Sequence, residues 1–218
     1  MIIRLFFSLV LLVFFSACFS VSSYQTADTI TKGKTELGIG LAVVKTDNYI
    51  AGSGEGHSTP ILEFISRYGV LDNLDFGLKL SGFEYLDLDF KFRLLSFGSN
   101  ESKFSMAIKP LISIPTLKDE GNFKTLILNS TRLSFLMSKK FNRVLGIYLS
   151  LNFHPRLSNT EKENSDPNDS SELKEYLFSG NLGLSIEEKS FWFRPELIAI
   201  AYNSEFAVTF GAGIGTKF

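Results

Sequence analysis

The end of the chain decides the fold, and it reads Ala207-Val208-Thr209-Phe210-Gly211-Ala212-Gly213-Ile214-Gly215-Thr216-Lys217-Phe218. Its large apolar side chains share one set of alternate positions, and the other set holds threonine, glycine and lysine. Successive side chains of a β-strand point to opposite faces, so this period of two predicts a strand with one apolar face. Such a strand fits a wall between lipid and a narrow interior.

The same alternation recurs along most of the chain. It is present in ten segments, which span roughly 34–44, 59–70, 73–81, 84–95, 103–114, 124–137, 143–154, 174–187, 190–201 and 205–218. Most have about the nine to eleven residues that a tilted strand needs to cross a bilayer. Polar residues at 129–132 interrupt the sixth segment. The sequence therefore predicts about ten strands, or eight if that segment or one short connection is misinterpreted.

Alternation alone does not show which face points inward. A soluble barrel turns its apolar face inward, and a membrane barrel turns it outward. Glycine recurs on the polar faces, as at Gly38, Gly40 and Gly213. A narrow interior has room for glycine, whereas an exposed strand surface gains little from it. These glycines favour the membrane arrangement.

If the polar faces line the interior, they bring together charged side chains of both signs. The candidates are Glu36, Glu63, Arg67, Asp75, Lys79, Asp87, Asp89, Lys91, Arg93, Lys109, Arg132, Arg194 and Glu196. A lone buried ion is expensive to desolvate, so we expect these charges to pair across a narrow barrel.

The chain resembles the bacterial outer-membrane β-barrel superfamily by pattern. Phe218 after an alternating strand resembles the closing strand of these barrels, and residues 67–78 look like one of their strand–turn–strand units around Asp72-Asn73. The resemblance implies an all-β, closed, antiparallel, up-and-down transmembrane barrel in a Gram-negative type of envelope. It also implies that Phe218 is an assembly signal read by the barrel-assembly machinery.

The connections between the predicted segments alternate in length. Those at 45–58, 115–123 and 155–173 are long and polar, and those at 72–73, 98–102, 138–142 and 187–189 are short. Outer-membrane barrels have short periplasmic turns and longer outer loops. An even number of strands brings both termini to the same side. The sequence therefore predicts an outer-membrane location with both termini in the periplasm.

The chain begins with a leader. Arg4 precedes an apolar run at 5–15 and small residues follow, which is typical of a secretory signal peptide. Residues 15–18 resemble a lipoprotein signal, in which Cys18 becomes lipidated; the alternative is ordinary cleavage after Ala17 or near Ser23. The predicted organisation is a signal peptide at 1–17, a periplasmic tether at 18–33 and a barrel domain at 34–218.

Composition and motifs exclude several classes of function. The net charge of −1 and the isoelectric point near 6.2 provide no basic field for nucleic acid. An outer-membrane enzyme that uses a catalytic histidine near its outer rim could draw only on His57 and His154, and both lie in or beside predicted outer loops. No catalytic, cofactor-binding or metal-binding motif occurs. We therefore predict that the protein is not an enzyme.

Two functions remain open. The first is a passive barrel in contact with outer-membrane lipids, either a narrow porin-like pore or a structural or surface-exposed barrel with a plugged, ion-paired interior. An extracellular ligand of such a barrel is left unidentified. The alternative is a periplasmic lipoprotein whose soluble β-barrel binds an apolar ligand inside. The two functions differ in the direction of the apolar face.

Overall fold

The computed structural model describes residues 22–45, 58–82, 85–99, 101–115, 131–159, 172–202 and 205–218. The predicted signal peptide, Cys18 and His57 therefore lie outside the described residues. Within the described part of the chain, no helix is long and apolar enough to cross a membrane.

Ten strands form in the described residues, and each covers a segment that alternates in sequence. Their bounds are β1 Thr35–Lys45, β2 Ser58–Leu71, β3 Leu74–Ser81, β4 Tyr85–Ser99, β5 Ser102–Pro115, β6 Thr131–Lys140, β7 Leu145–Asn159, β8 Glu172–Glu188, β9 Phe191–Tyr202 and β10 Glu205–Lys217. In the described residues the sixth strand begins at Thr131, inside the polar run at 129–132. It ends at Lys140, three residues beyond the predicted end at 137.

The strands pair in sequence order, and β1 closes the sheet by pairing with β10. In the closing register Gly38 lies opposite Gly215, and Ala42 lies opposite Gly211. Closure removes the edge strands of the described sheet, which would otherwise be free to pair with other chains. The predicted closed, antiparallel, up-and-down barrel of ten strands is confirmed.

The barrel has two different ends. The turn end carries the start of β1, the end of β10 and the connections at 72–73, 100–101, 141–144 and 189–190, none longer than four residues. The loop end carries connections of twelve, fifteen and twelve residues at 46–57, 116–130 and 160–171, and shorter ones at 82–84 and 203–204.

Apolar side chains point out of the barrel, and charged side chains point in. Leu182, Leu197 and Phe210 are 55%, 57% and 59% exposed. Their strand neighbours Asn181 and Glu196 are buried. A soluble barrel requires the opposite arrangement, so the alternative of a soluble β-barrel with an apolar ligand inside is wrong.

Candidate functional site

The interior of the barrel is occupied by residues that precede β1. Ser22–Ile30, which we call the lumenal segment, has seven of its nine residues buried. Ser22 contacts Lys79 in the loop half of the barrel, and Ile30 contacts Asp75 near the turn end. We predicted a periplasmic tether at 18–33. The described part of that stretch as far as Ile30 instead lies inside the barrel, because the charged walls bind its backbone.

Glu196 on β9 binds the middle of the lumenal segment. Its carboxylate accepts hydrogen bonds from the backbone N–H groups of Ser23 and Tyr24, at 2.8 and 3.0 Å. It also accepts hydrogen bonds from the Tyr148 hydroxyl at 2.9 Å and the Asn181 amide at 3.1 Å. Removal of the carboxylate would take the same acceptor away from all four of these buried donors.

Polar side chains also bind the segment nearer the turn end. Nζ of Lys91 donates to the carbonyl oxygens of Thr26 and Asp28, at 3.2 and 2.6 Å. The Asp28 carboxylate forms an ion pair with Lys103 at 2.7 Å and accepts a hydrogen bond from the Ser105 hydroxyl at 2.6 Å. The segment is therefore bound through its backbone and through its one charged side chain.

Two opposing effects act on the Asp28 carboxyl group. Burial raises its pKa, whereas hydrogen bonds from Lys103 and Ser105 and the charges of Lys103 and Lys140 lower it. The net result is a pKa below the ordinary value for aspartate. Asp28 is therefore ionised at neutral pH, and its contact with the wall is an ion pair.

Inward-facing glycines of β1 and β10 make room for Tyr24. A Cβ atom on Gly211 would lie 2.6 Å from the Tyr24 hydroxyl oxygen, and one on Gly213 would lie 2.9 Å from its Cγ. A Cβ atom on Gly40 would overlap the Tyr24 ring. The concentration of glycine on these two strands is the sequence signal that could have predicted a lumenal side chain.

A second aromatic side chain, Trp192 on β9, fills the interior beside Tyr24. It is fully buried and forms an apolar cluster with Tyr24 and Ile65. The guanidinium carbon of Arg194 lies 4.4 Å from the centroid of the Trp192 ring, which is a cation–π contact. Neither aromatic side chain was predicted to lie in the interior, because Tyr24 lies outside the alternating segments and Trp192 lies between two further aromatic residues, Phe191 and Phe193.

Most of the charged side chains predicted for the interior form ion pairs with one another. Arg67 contacts Asp75 and also Asp89, the latter at 2.7 Å, and Lys91 contacts Asp75 at 3.3 Å. All four side chains are buried. Pairing at these distances offsets the cost of removing each ion from water.

A second group of ion pairs lies toward the loop end. Lys79 contacts Glu63 at 3.1 Å and Asp87 at 3.4 Å, and Arg132 contacts Asp87 at 3.2 Å. Nζ of Lys79 also donates to the Ser22 carbonyl oxygen at 3.1 Å. These wall charges therefore bind the start of the lumenal segment as well as one another.

A third group of ion pairs crosses the turn end. Arg194 contacts Glu36 at 2.9 Å and Glu187 at 2.8 Å. Glu187 also contacts Lys140 at 3.2 Å and Lys217 at 2.9 Å. Glu187, Lys140 and Lys217 were not predicted to face the interior, because each lies at a strand end or turn, where side chains usually face water.

The structure buries twelve of the thirteen predicted interior side chains. They are Glu36, Glu63, Arg67, Asp75, Lys79, Asp87, Asp89, Lys91, Lys109, Arg132, Arg194 and Glu196. Arg93 is the exception: it is half-buried at the turn end and donates to the Asp72 carbonyl oxygen at 2.9 Å. The register of β4 against β5 shifts between Arg93 and Leu95, which interrupts the alternation there.

Phe218 is 62% exposed beside the start of β1.

His154 lies in a different environment from the one predicted. We expected it beside a solvated outer loop, but it is buried in β7 and faces the interior. Among the residues that the structure describes, no group of three or more His, Cys, Asp or Glu side chains is placed to hold a metal ion. What the described interior offers is a set of paired charges and packed aromatic rings around a peptide segment.

The solved structures that are similar to this chain include three bacterial proteins. The N-terminal β-barrel domain of OprF from Pseudomonas aeruginosa has a TM-score of 0.32 and 9% identity, over 87% of this chain and 100% of that chain. Ail, the attachment invasion locus protein of Yersinia pestis, has a TM-score of 0.31 and 11% identity, over 86% and 100%. OprG, an outer-membrane protein from Pseudomonas aeruginosa, has a TM-score of 0.29 and 11% identity, over 89% and 99%.

No curated protein matches the chain. The model of a family described as a membrane bound beta barrel domain (DUF5777) matches residues 59–195. The matched stretch runs from β2 into β9 and includes most of the wall that carries the ion pairs. The predicted resemblance to membrane β-barrels is confirmed by this match. The chain belongs to the family of the membrane bound beta barrel domain.

Proposed function

We propose that this protein is an integral outer-membrane β-barrel with a closed lumen, acting as a structural or surface-exposed barrel rather than as an open pore. The observation that carries the proposal is the lumenal segment, in which seven of nine residues are buried. Arg194, Lys91 and Glu196 all bind its backbone. A solute that crossed the barrel would have to displace these charged hydrogen bonds, each of which contributes about 1.5–3 kcal/mol.

The outer membrane and a periplasmic turn end are parts of the same proposal. The family is membrane bound, and the outward face is apolar along β8 and β9. Connections of at most four residues at one end and of up to fifteen at the other match the asymmetry of outer-membrane barrels. We expect the loop end to face outside, the apolar face to contact outer-membrane lipids, and Phe218 to be read by the assembly machinery. No enzymatic step is assigned to the interior.

Single-channel conductance in planar bilayers tests the closed lumen. The comparison is between the wild type and a variant that lacks residues 22–28 of the lumenal segment. A matched control lacks residues 161–167, seven residues of a loop-end connection outside the described part of the chain. Heat-modifiable gel migration establishes that each variant is folded. We expect the wild type and the control to be silent.

A gated narrow pore is the second candidate. It is favoured by the fact that the lumenal segment contributes no strand to the described sheet, so that its departure would leave the wall intact. Steady conductance of the variant lacking residues 22–28 would support this candidate, and a folded, silent variant would support a purely structural barrel. A wild type that conducts as well as the deletion variant would contradict the closed lumen.

Lipidation of Cys18 remains a prediction, and it bears on the lumenal segment. Four extended residues span at most about 14 Å, and Cys18 precedes Ser22 by four. Ser22 contacts Glu63 on β2. Glu63 lies eight residues before Leu71, the residue at the turn end of β2. For a tilted strand, eight residues correspond to about 20 Å along the barrel axis, so Ser22 lies about that far from the turn end. A lipid on Cys18 would therefore reach the periplasmic leaflet only if the segment left the lumen. Palmitate labelling that disappears in Cys18→Ser tests the modification.

A further inference from the structure

A cavity of about 390 Å³ opens at the turn end of the barrel, where the lumenal segment leaves the interior. Its volume falls within the roughly 300–1,000 Å³ of small-molecule sites. Its lining includes Thr26, Asp28, Thr29 and Ile30 of the lumenal segment, the adjoining Thr31, side chains of the strand ends, and Phe218. The cavity adjoins the interior that the lumenal segment fills, since Lys91 and Arg194 line it and also bind the segment.

The lining of this cavity carries an excess of positive charge. Seven lysine or arginine side chains line it against three carboxylates, which are those of Asp28, Glu36 and Glu187. A carboxylate on Phe218 would still leave an excess of three positive charges. The whole chain has a net charge of −1, so this excess is local to the cavity.

Each carboxylate in the cavity already has cationic partners. Glu187 is contacted by Lys140 at 3.2 Å and by Lys217 at 2.9 Å, in addition to Arg194. Asp28 is contacted by Lys103 at 2.7 Å. Several cations therefore share one carboxylate, and like charges crowded in this way repel one another unless a further anion joins them.

Part of this charge is accessible to a ligand. The side chains of Lys103, Lys140 and Lys217 are 22%, 25% and 31% exposed. Lys34 and Lys189, at the start of β1 and in the turn between β8 and β9, are exposed and also line the cavity. Lysine ammonium groups each present three donors on a flexible stem, which suits an anion with several acceptor oxygens.

The position of the cavity further restricts the chemical class of the anion that it could bind. Phe191 and Phe218 at the same end are 46% and 62% exposed, and exposed aromatic side chains at strand ends are typical of the lipid–water interface. Basic pockets at that level bind the phosphate groups of anionic lipids. A phosphate group presents more acceptor oxygens to these lysine donors than a carboxylate does, so phosphate is the group that the surroundings favour.

We propose that this cavity binds a phosphate-bearing anion. Two sources share the chemistry: the headgroup of an anionic phospholipid in the leaflet at the turn end, and free inorganic phosphate. In both cases the phosphate oxygens accept hydrogen bonds from Lys34, Lys140, Lys189 and Lys217, and the bound anion neutralises the excess charge.

The test is calorimetric titration of the full chain, folded in zwitterionic detergent. One arm uses inorganic phosphate, and the other uses short-chain phosphatidylglycerol with short-chain phosphatidylcholine as its zwitterionic control. The test variant is Lys34→Gln/Lys189→Gln, because both side chains are exposed and neither belongs to the ion pairs found among the described residues. The matched control is Lys32→Gln/Lys139→Gln, which removes the same charge from two lysines of the same end that lie outside the cavity and outside the ion pairs found among the described residues.

We expect the wild type to bind, the Lys34→Gln/Lys189→Gln variant to bind about tenfold more weakly, and the control variant to match the wild type. Binding of both probes identifies phosphate itself as the ligand, and binding of phosphatidylglycerol alone identifies the headgroup. Equal weakening by both variants would overturn the proposal, because it would show only a diffuse surface charge. A wild type that binds neither probe would also overturn it.

Discussion

Replacing Gly40 by alanine should destabilise the barrel through one side chain, Tyr24. The new Cβ atom would lie 3.0 and 3.1 Å from Cδ2 and Cζ of Tyr24, and closer still to Cε2. Tyr24 is 1% exposed, its backbone N–H is bound by Glu196, and its side chain packs beside Trp192 and Ile65, so a movement of the ring away from Gly40 has to displace packed neighbours. Overpacking of this kind costs about 1–3 kcal/mol. We expect the free energy of unfolding to fall by that amount.

The assay is urea unfolding of the protein in lipid vesicles. Trp192 is the one tryptophan in the sequence and is buried beside Tyr24, so its fluorescence reports directly on the lumen. Tyr24→Ala alone should cost about 3–5 kcal/mol, as for other large buried aromatic side chains. In the Tyr24→Ala background, Gly40→Ala should cost nothing. The double-mutant cycle should therefore give a coupling energy of about 1–3 kcal/mol.

Gly180→Ala is the matched control. Its new Cβ atom would lie 3.7 Å from Cδ2 of Leu151 and 3.9 Å from the Ser150 carbonyl oxygen, which are ordinary contacts. We expect this variant to remain within about 0.5 kcal/mol of the wild type. The reasoning is refuted if Gly40→Ala is as stable as the wild type, or if its cost is the same with and without the Tyr24 ring.

Three further predictions concern the outward face, the wall and the segment. Leu182→Arg should lower the free energy of unfolding in vesicles by about 2–4 kcal/mol, because the charge would face lipid; an unchanged value would argue that this face meets water. Glu196→Ala should cost at least about 2 kcal/mol, since it removes the acceptor of four buried hydrogen bonds; the lipid-facing neighbour Leu197→Ala should cost less, and the reverse order would contradict the role of Glu196. The pKa of Asp28 is lowered in the folded protein, so its stabilising effect is present above the pKa of an unfolded aspartate and is lost as the pH falls below about 3.9. Between about pH 5 and pH 2 the free energy of unfolding of the wild type should therefore fall by more than that of Asp28→Asn. Equal decreases in the two proteins would show that the ion pair of Asp28 with Lys103 contributes nothing to stability.

The architecture of the wall could be predicted because its signal is local. The period of two is visible within any strand, as in the alternation of Asp87 and Asp89 with Leu88 and Phe90. Ten strands, their order and the burial of most charged residues follow from that period together with the lengths of the connections. Alternation is the same whether the apolar face points into the barrel or out of it. To predict which of the two applies, a second observation was needed, namely the glycines on the polar face.

The occupant of the lumen was decided by tertiary structure alone. The lumenal segment has no periodicity, and it is bound by partners far along the chain: Ser23 and Tyr24 meet Glu196 at separations of 173 and 172 residues. The same holds for Arg194 and Glu36, which are 158 residues apart. Closure of the sheet brings these groups together, and no local pattern specifies which donor will meet which acceptor. The sequence by itself therefore determined the wall and its two faces. The ion pairs, the space for Tyr24 and the position of the lumenal segment depend on burial, which exists only once the barrel has closed.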